Sequence, residues 1–503
     1  MHVLDWIVMA VFCLSMVLIG WWSRLLVKNT NDFFTGGGKM PWWLVGVSHH
    51  VSGYSAVAFT AYAGIAYKQG FSIYVWWAFP IAMACYLGVF FFAPRWARLR
   101  THYHIESPME FISTRYNVPT QQLLAWLGVL LKIIDVGAKW TALAIILMFF
   151  TGLNFYTAIW LSVAVGLFYS TIGGLWASTI TDFVQFIIQF VTGIIIFVVA
   201  VVKLGGISSI WTVWDQLPAE HSNLLNGQWD VVFLVGVLLV NILGYNGGTW
   251  NLAQRYIAAP TGREAKKAAI LTASLYLVWP LVLFFPMWAA PILIPGIPED
   301  QLNRSFCIMV QNFLPAGLVG LMLASLMSQT LTMTTSDATA ITAVLSRDIV
   351  PKIWKRAAAF NEKQALLMAR IITFVFMVCT AVIAMYSDLF GGIIGLILNW
   401  FTALLGPVSV PMILGLLPMF RRCGSGAAFA SVFSGVFAFI ICTCCFSVKT
   451  SFGIDPLAIL VPTLTALVAY LLCGAWNIVK GVPVKPEADT MLRALSSEKE
   501  TIN

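Results

Sequence analysis

About thirteen runs of roughly 20 apolar residues, each long enough to cross the hydrocarbon core of a bilayer, leave this chain few folds to choose from. They cover 3–23, 43–66, 73–94, 119–149, 155–172, 178–202, 231–253, 268–294, 314–346, 368–386, 389–419, 427–447 and 457–477, and are called spans 1 to 13 below. In lipid every backbone N–H and C=O must be satisfied within the protein, so runs of this length are helices. The fold class expected is therefore all-α transmembrane. Composition agrees: 60% of the 503 residues are hydrophobic and 10% are charged, against about 25% charged in soluble domains.

The apolar run from Trp6 to Trp22 is too long for a signal-peptide core and lacks a small-residue exit, so it reads as a retained first helix. Nine cysteines are scattered, and the Cys442, Cys444, Cys445 group has no His or acidic neighbour that would complete a zinc site. No P-loop is present, and no appended enzymatic or signalling domain is expected, which argues against ATP-driven transport, a sensor and an enzyme.

The net charge of +8 is explained by orientation rather than by an acidic partner. With the N-terminus outside, 23 Lys and Arg fall on one face and only Lys68, Lys203, Arg304 and Lys449 on the other, leaving Lys132 and Lys139 inside span 4. Cytoplasmic loops carry the excess of basic residues. The expectation is N-out and C-in, a multi-pass protein of a bacterial inner membrane.

Two spans are interrupted at mid-depth by small polar residues: span 2 by Gly46 to Ser55, and span 7 by Asn241 to Asn251. Unwound backbone is tolerated in a membrane only where it lines a cavity or binds an ion. The breaks lie five spans apart, so spans 2–6 and 7–11 form two five-helix units of opposite topology, the 5+5 inverted repeat of LeuT-like transporters. The expected division is 1–30 as an extra N-terminal helix, 40–203 and 230–420 as the repeats, 426–480 as extra C-terminal helices and 481–503 as a cytoplasmic tail.

Acidic residues well inside spans are restricted to Asp135, Asp182 and Asp337. Each costs at least ~2.5 kcal/mol unless paired or hydrated. Asp135 shares one helical face with Lys132 and Lys139, either as a self-contained ion cluster or as a polar wall of a solute cavity. Asp182 lies one turn into span 6, as a helix N-terminal carboxylate or a cation ligand. Asp337 sits in the hydroxyl-dense stretch from Ser328 to Thr342 of span 9, whose hard oxygen ligands suit an alkali cation. His49 and His50 at the first break suggest proton coupling as an alternative.

These features resemble the sodium/solute symporter family, which includes sodium/galactose, sodium/proline and sodium/sialic-acid transporters. The marks are Asn31 to Lys39 before span 2, Gly173-Gly174-Leu175 and Thr181 to Gln185 into span 6, Gln254-Arg255 after span 7, Asp348-Ile349 after span 9, and Arg421 with Gly426-Ala427 before span 12. The resemblance implies sodium as coupling ion, no resident cofactor, and uptake of a small polar solute. Its main sodium site implies carbonyls of Ser48 and Val51, the carbonyl of Gln329 and the hydroxyl of Thr332, with Met333 in place of a further hydroxyl, so that either Thr334 or Ser328 substitutes or the site is weaker. A second position implies Asp182, Thr332, Thr335 and Ser336. The cavity implies Ser52, Ser55, Asp135, Tyr245, Asn246 and Asn399. Asp135 stands where a sialic-acid carrier has Arg, and Tyr276 where a galactose carrier has Lys. A sugar or sugar acid is the favoured solute, then an amino acid or other carboxylate.

Overall fold

The computed structural model describes residues 1–503 except 24, 26, 28, 227–228, 446–455 and 498–503, and omits side chains at 168–173. Arg24, Lys28, Lys449 and Lys499 of the charge count thus lie outside the described residues, as does the end of span 12. Among the described residues secondary structure is almost wholly helical, and eleven helices are long and apolar enough to cross a bilayer. Two further expected crossings are shorter pieces. Span 2 splits into Trp42–Val51 and Ala61–Gln69 around a 3-10 turn at Ala56–Phe59. Span 5 is the apolar stretch Phe155–Leu167.

Helix starts follow from local chemistry. Asn117, Asn154, Asp230 and Thr261 each accept a hydrogen bond from the backbone three residues on, and open the helices of spans 4, 5, 7 and 8. Asn361 and Gln364 form a reciprocal capping box at span 10. Such side chains satisfy amides that the first turn leaves unpaired.

Spans 5 and 6 meet at Gly174, whose φ of 51° bends the chain there. A Cβ at Gly174 would lie 2.7 Å from the Phe33 carbonyl oxygen, so glycine is required for both its backbone freedom and its size. Span 7 runs Val231–Leu243, then a π-turn at Gly244–Gly248, then Asn251–Ile257. Gly247 at φ 124° and Trp250 at φ 53° complete its break. The two expected interruptions are both present, each in the first helix of its five-helix unit.

Spans 4 (Val118–Thr151) and 9 (Leu318–Val344) are the most buried crossings, and span 6 packs along span 9. Spans 12 and 13 pack on one another and on span 11 at the periphery. The polar tail holds a helix, Pro486–Ser496, whose Met491, Leu492 and Leu495 are buried. The Arg98 guanidinium donates to the Leu495 carbonyl at 2.9 Å, docking this helix under Ala93–Tyr103.

Candidate functional site

The break in span 2 is held open by its neighbours. The Thr272 hydroxyl of span 8 donates to the Gly46 carbonyl at 2.9 Å, and the Tyr276 hydroxyl donates to that of His50 at 3.0 Å. The Ala56 amide, freed by the break, donates to the Thr330 hydroxyl of span 9 at 2.9 Å. The Ser52 and Ser336 hydroxyls meet at 3.2 Å. Span 2 is thus pinned to span 9 through side chains that replace lost helical hydrogen bonds. The carbonyls of Ser48 and Val51 accept from the Ser52 and Tyr54 amides at 3.0 and 3.2 Å, and each keeps a second lone pair for a cation.

Thr332 lies one turn from Ser336, on the same helical face. Its hydroxyl oxygen is fully buried and has no hydrogen-bond partner among the described residues, and the same holds for the Ser328 hydroxyl a turn further on. A buried polar atom left unpaired costs ~1–3 kcal/mol, so oxygens of this kind suit an ion ligand. By contrast, the Thr334 and Thr335 hydroxyls donate to carbonyls of the preceding turn. Gln329 is buried, and its side-chain oxygen likewise has no partner among the described residues.

Asp182 is fully buried where spans 2, 6, 7 and 9 converge. Its Oδ2 accepts from the Ser48 hydroxyl and from the Arg255 guanidinium, the latter at 3.1 Å, while Oδ1 has no partner among the described residues. Arg255 also donates to the Ser178 hydroxyl at 2.8 Å and to that of Ser336. Sequence reasoning gave Arg255 no role and counted it among cytoplasmic charges. It is 1% exposed, and only a buried counter-ion makes that tolerable. Of the expected second sodium position, Asp182 and Ser336 are brought together, on a guanidinium. The Thr335 hydroxyl is turned to backbone carbonyls, and Thr332 is left open.

The charges of span 4 do not form a self-contained cluster. Lys132 reaches Asp135 at 3.0 Å and Asp337 of span 9 at 2.7 Å, and Lys139 reaches the same two carboxylates at 2.8 and 2.6 Å. Asp337 gives each lysine its own oxygen, whereas Asp135 gives both lysines Oδ2. This closed tetrad has no net formal charge, and all four side chains are at most 5% exposed.

A cavity of about 120 Å³ lies beside the tetrad, between the two breaks. Ser52, Ser55, Asp135 and Tyr245 line it, together with Lys132, Lys139 and Met333. Two expected residues are not in its wall. Asn246 is turned away, donating to the Ala84 and Ile242 carbonyls at 3.0 and 2.8 Å. Asn399 lies in the π-turn Gly395–Thr402, which presents Phe401 and Thr402 to the cavity instead. Asn241, Thr249 and Asn251 supply the amide and hydroxyl groups that Asn246 was expected to bring, and Trp76, Trp77 and Tyr62 supply aromatic surface. His49 and His50 pack on Tyr256 and Tyr276 with ring centroids 4.7 and 4.6 Å apart, and their buried ring nitrogens have no partner among the described residues.

Residues 33–435 match the model of the sodium:solute symporter family. The chain belongs to that family. Among its relatives is the sodium/sialic acid symporter SiaT of Proteus mirabilis, 24% identical over 86% of this symporter and 88% of the relative. Another is the sodium/glucose cotransporter of Vibrio parahaemolyticus, 26% identical over 69% and 68%. A solved Na+-coupled sialic acid symporter, substrate-bound and outward-open, superposes with a TM-score of 0.81 at 20% identity, covering 94% of this symporter and 98% of that chain. The nucleobase-cation symporter Mhp1 superposes with a TM-score of 0.57 at 14% identity, over 93% and 100%. The symporter therefore has the LeuT-like inverted-repeat fold. It is a multi-pass inner-membrane transporter that couples sodium to movement of a solute, and it is not an enzyme.

Proposed function

We propose that the solute is a sugar or sugar acid and that sodium is held between the Ser48, Val51 and Gln329 carbonyls and the Thr332 hydroxyl. The observation that carries this reading is the unpartnered, fully buried Thr332 hydroxyl beside the interrupted span 2. A sodium ion there ties span 2 to span 9 and favours one orientation of the rocking helices. Asp182 Oδ1, also unpartnered, offers a second oxygen toward the inner end of the path. The cavity pairs hydroxyl and amide groups with aromatic faces, a surface that suits a ring with several hydroxyls. The two relatives above carry sialic acid and glucose, in keeping with that class.

The charge asymmetry of the loops supports thirteen crossings with the N-terminus outside. In that frame 40–203 and 230–420 are the repeats, 1–30 and 426–480 flank them, and 481–503 is cytoplasmic. Each sodium ion entering down a potential of 100 mV releases about 2.3 kcal/mol, enough for roughly fiftyfold accumulation of a neutral solute.

Uptake into proteoliposomes from a panel of sugars, sugar acids and amino acids, with and without a sodium gradient, tests the reading. Sodium-driven accumulation of a sugar or sugar acid is expected. An amino acid as sole substrate refutes the solute class. Accumulation that follows pH and ignores sodium moves the coupling to His49 and His50.

A further inference from the structure

Spans 6 and 9 pack side by side in opposite directions, and two hydroxyl pairs fix their register. Thr192 meets Ser325 at 3.0 Å at one end, and Ser178 meets Ser336 at 3.3 Å at the other. Between these pins, Gln189 lies level with 325–328 and Gln185 with 329–332. Both glutamines are buried, at 2% and 1% exposure. Residues 185, 189 and 192 share one face of span 6, and 325, 328, 329 and 332 share one face of span 9, by steps of three and four.

The polar atoms of this seam are not paired off. Gln185 Oε1, Gln189 Oε1, Gln329 Oε1 and the Ser328 hydroxyl are all buried without a hydrogen-bond partner among the described residues. The amide donors are partly spent elsewhere. Gln185 Nε2 points to the Met16 sulfur of span 1 at 3.3 Å, and Gln329 Nε2 to the Ser325 hydroxyl at 3.4 Å. Gln189 Nε2 is the one of these amide nitrogens that lacks a partner among the described residues. The seam therefore gathers four unpartnered oxygens along one stretch of the two helices, against one unpartnered amide nitrogen. Four such oxygens left dry would cost several kcal/mol, at ~1–3 kcal/mol each. Water relieves that cost in part. A cation can take these oxygens together as ligands. Neutral amide and hydroxyl oxygens, with no thiolate or imidazole among them, select a hard monovalent ion.

We propose that the seam at Gln185, Gln189, Ser328 and Gln329 is a second sodium station, set one to two turns along span 9 from Thr332 on the side away from Asp182. It rests on the sodium-coupled reading above and adds a place where an ion is held at equilibrium. Arg255 already occupies Asp182 Oδ2 and the Ser336 hydroxyl, so the seam supplies oxygens that the cytoplasmic position does not. Gln189, which contributes no backbone or side chain to the Thr332 site, is its selective handle.

Equilibrium binding of radioactive sodium to the purified full-length protein tests this, with choline replacing sodium as the control. Gln189→Leu is expected to bind one ion fewer than the wild type while solute affinity at saturating sodium is kept. Gln189→Glu is expected to keep the wild-type number and lower the half-saturating sodium about tenfold, because a carboxylate replaces a neutral amide. Thr332→Ala is expected to weaken binding of the other ion about tenfold and leave this one as it was. Equal ion number and affinity in wild type, Gln189→Leu and Gln189→Glu overturns the station and makes the seam a site for water. Should Gln189→Leu not fold, Gln189→Glu and Ser328→Ala decide by the same measure. Absence of any sodium binding to the wild type defeats the sodium-coupled reading itself, an outcome distinct from loss of the seam ion alone.

Discussion

Replacing Asp337 by Asn removes the carboxylate that gives Lys132 and Lys139 an oxygen each, at 2.7 and 2.6 Å. The lysines are then left on the single shared Oδ2 of Asp135, at 3.0 and 2.8 Å. Asp337 itself is fully buried, while both lysines also line the cavity. One lysine must stay charged without a full counter-ion or release its proton. Breaking a buried pair from one side costs about 3–5 kcal/mol. Removing charge from both sides is often neutral or stabilising when shape is kept. The prediction is a cycle: Asp337→Asn and Lys139→Met each destabilise by roughly 3–5 kcal/mol, and the double variant recovers most of that loss. One kcal/mol moves the melting temperature about 2–4 °C in chains of 150–250 residues and less in larger ones, so each single drop is on the order of 5 °C. Thermal melting of detergent-purified protein, followed by intrinsic tryptophan fluorescence, reads it. A double variant no more stable than the worse single refutes the idea that these groups are held by one another.

Three other outcomes are expected. Thr332→Ala raises the sodium concentration for half-maximal uptake about tenfold, the effect of losing one ion ligand worth ~1.4 kcal/mol, and an unchanged sodium curve excludes that hydroxyl from the site. Asn246→Ala, which frees the Ala84 and Ile242 carbonyls, lowers stability by about 1–3 kcal/mol but leaves solute affinity as it was, and weaker solute binding at full stability contradicts the placement of Asn246 outside the cavity. Gly247→Ala, at φ 124° and with its new Cβ 2.7 Å from the Trp96 ring nitrogen, lowers the yield of folded transporter sharply, as gel filtration reports, whereas Ala at the exposed Gly426, where a Cβ meets nothing within 4 Å, does not.

What the sequence told of this architecture was what a single helix records about itself. Small polar residues at Gly46 to Ser55 and Asn241 to Asn251 have no reason to sit in lipid, and both segments are interrupted in the structure. Lys132, Asp135 and Lys139 fall on one helical face by spacing alone. What spacing does not record is the partner. Asp337 joins the span 4 charges only because spans 4 and 9 pack together, and Arg255 reaches Asp182 only because span 7 re-forms as a helix beyond its break. The same limit explains Asn246 and Asn399. Each was placed by position in a motif, and π-turns at Gly244–Gly248 and Gly395–Thr402 rotate the helix so that other residues face inward. An arginine next to a helix end looks like an interfacial charge until its burial is known, which is why Arg255 was passed over.

The Lys132, Lys139, Asp135, Asp337 tetrad carries two positive and two negative charges at one depth, and Asp182 with Arg255 adds one of each. Moving such balanced sets through the membrane field does almost no electrical work, since that work scales with net charge displaced. These six side chains therefore contribute little gating current. Transient currents recorded on a voltage step report mainly the entering ions, and steady current divided by solute flux counts the ions carried per cycle directly, plus any charge on the solute itself.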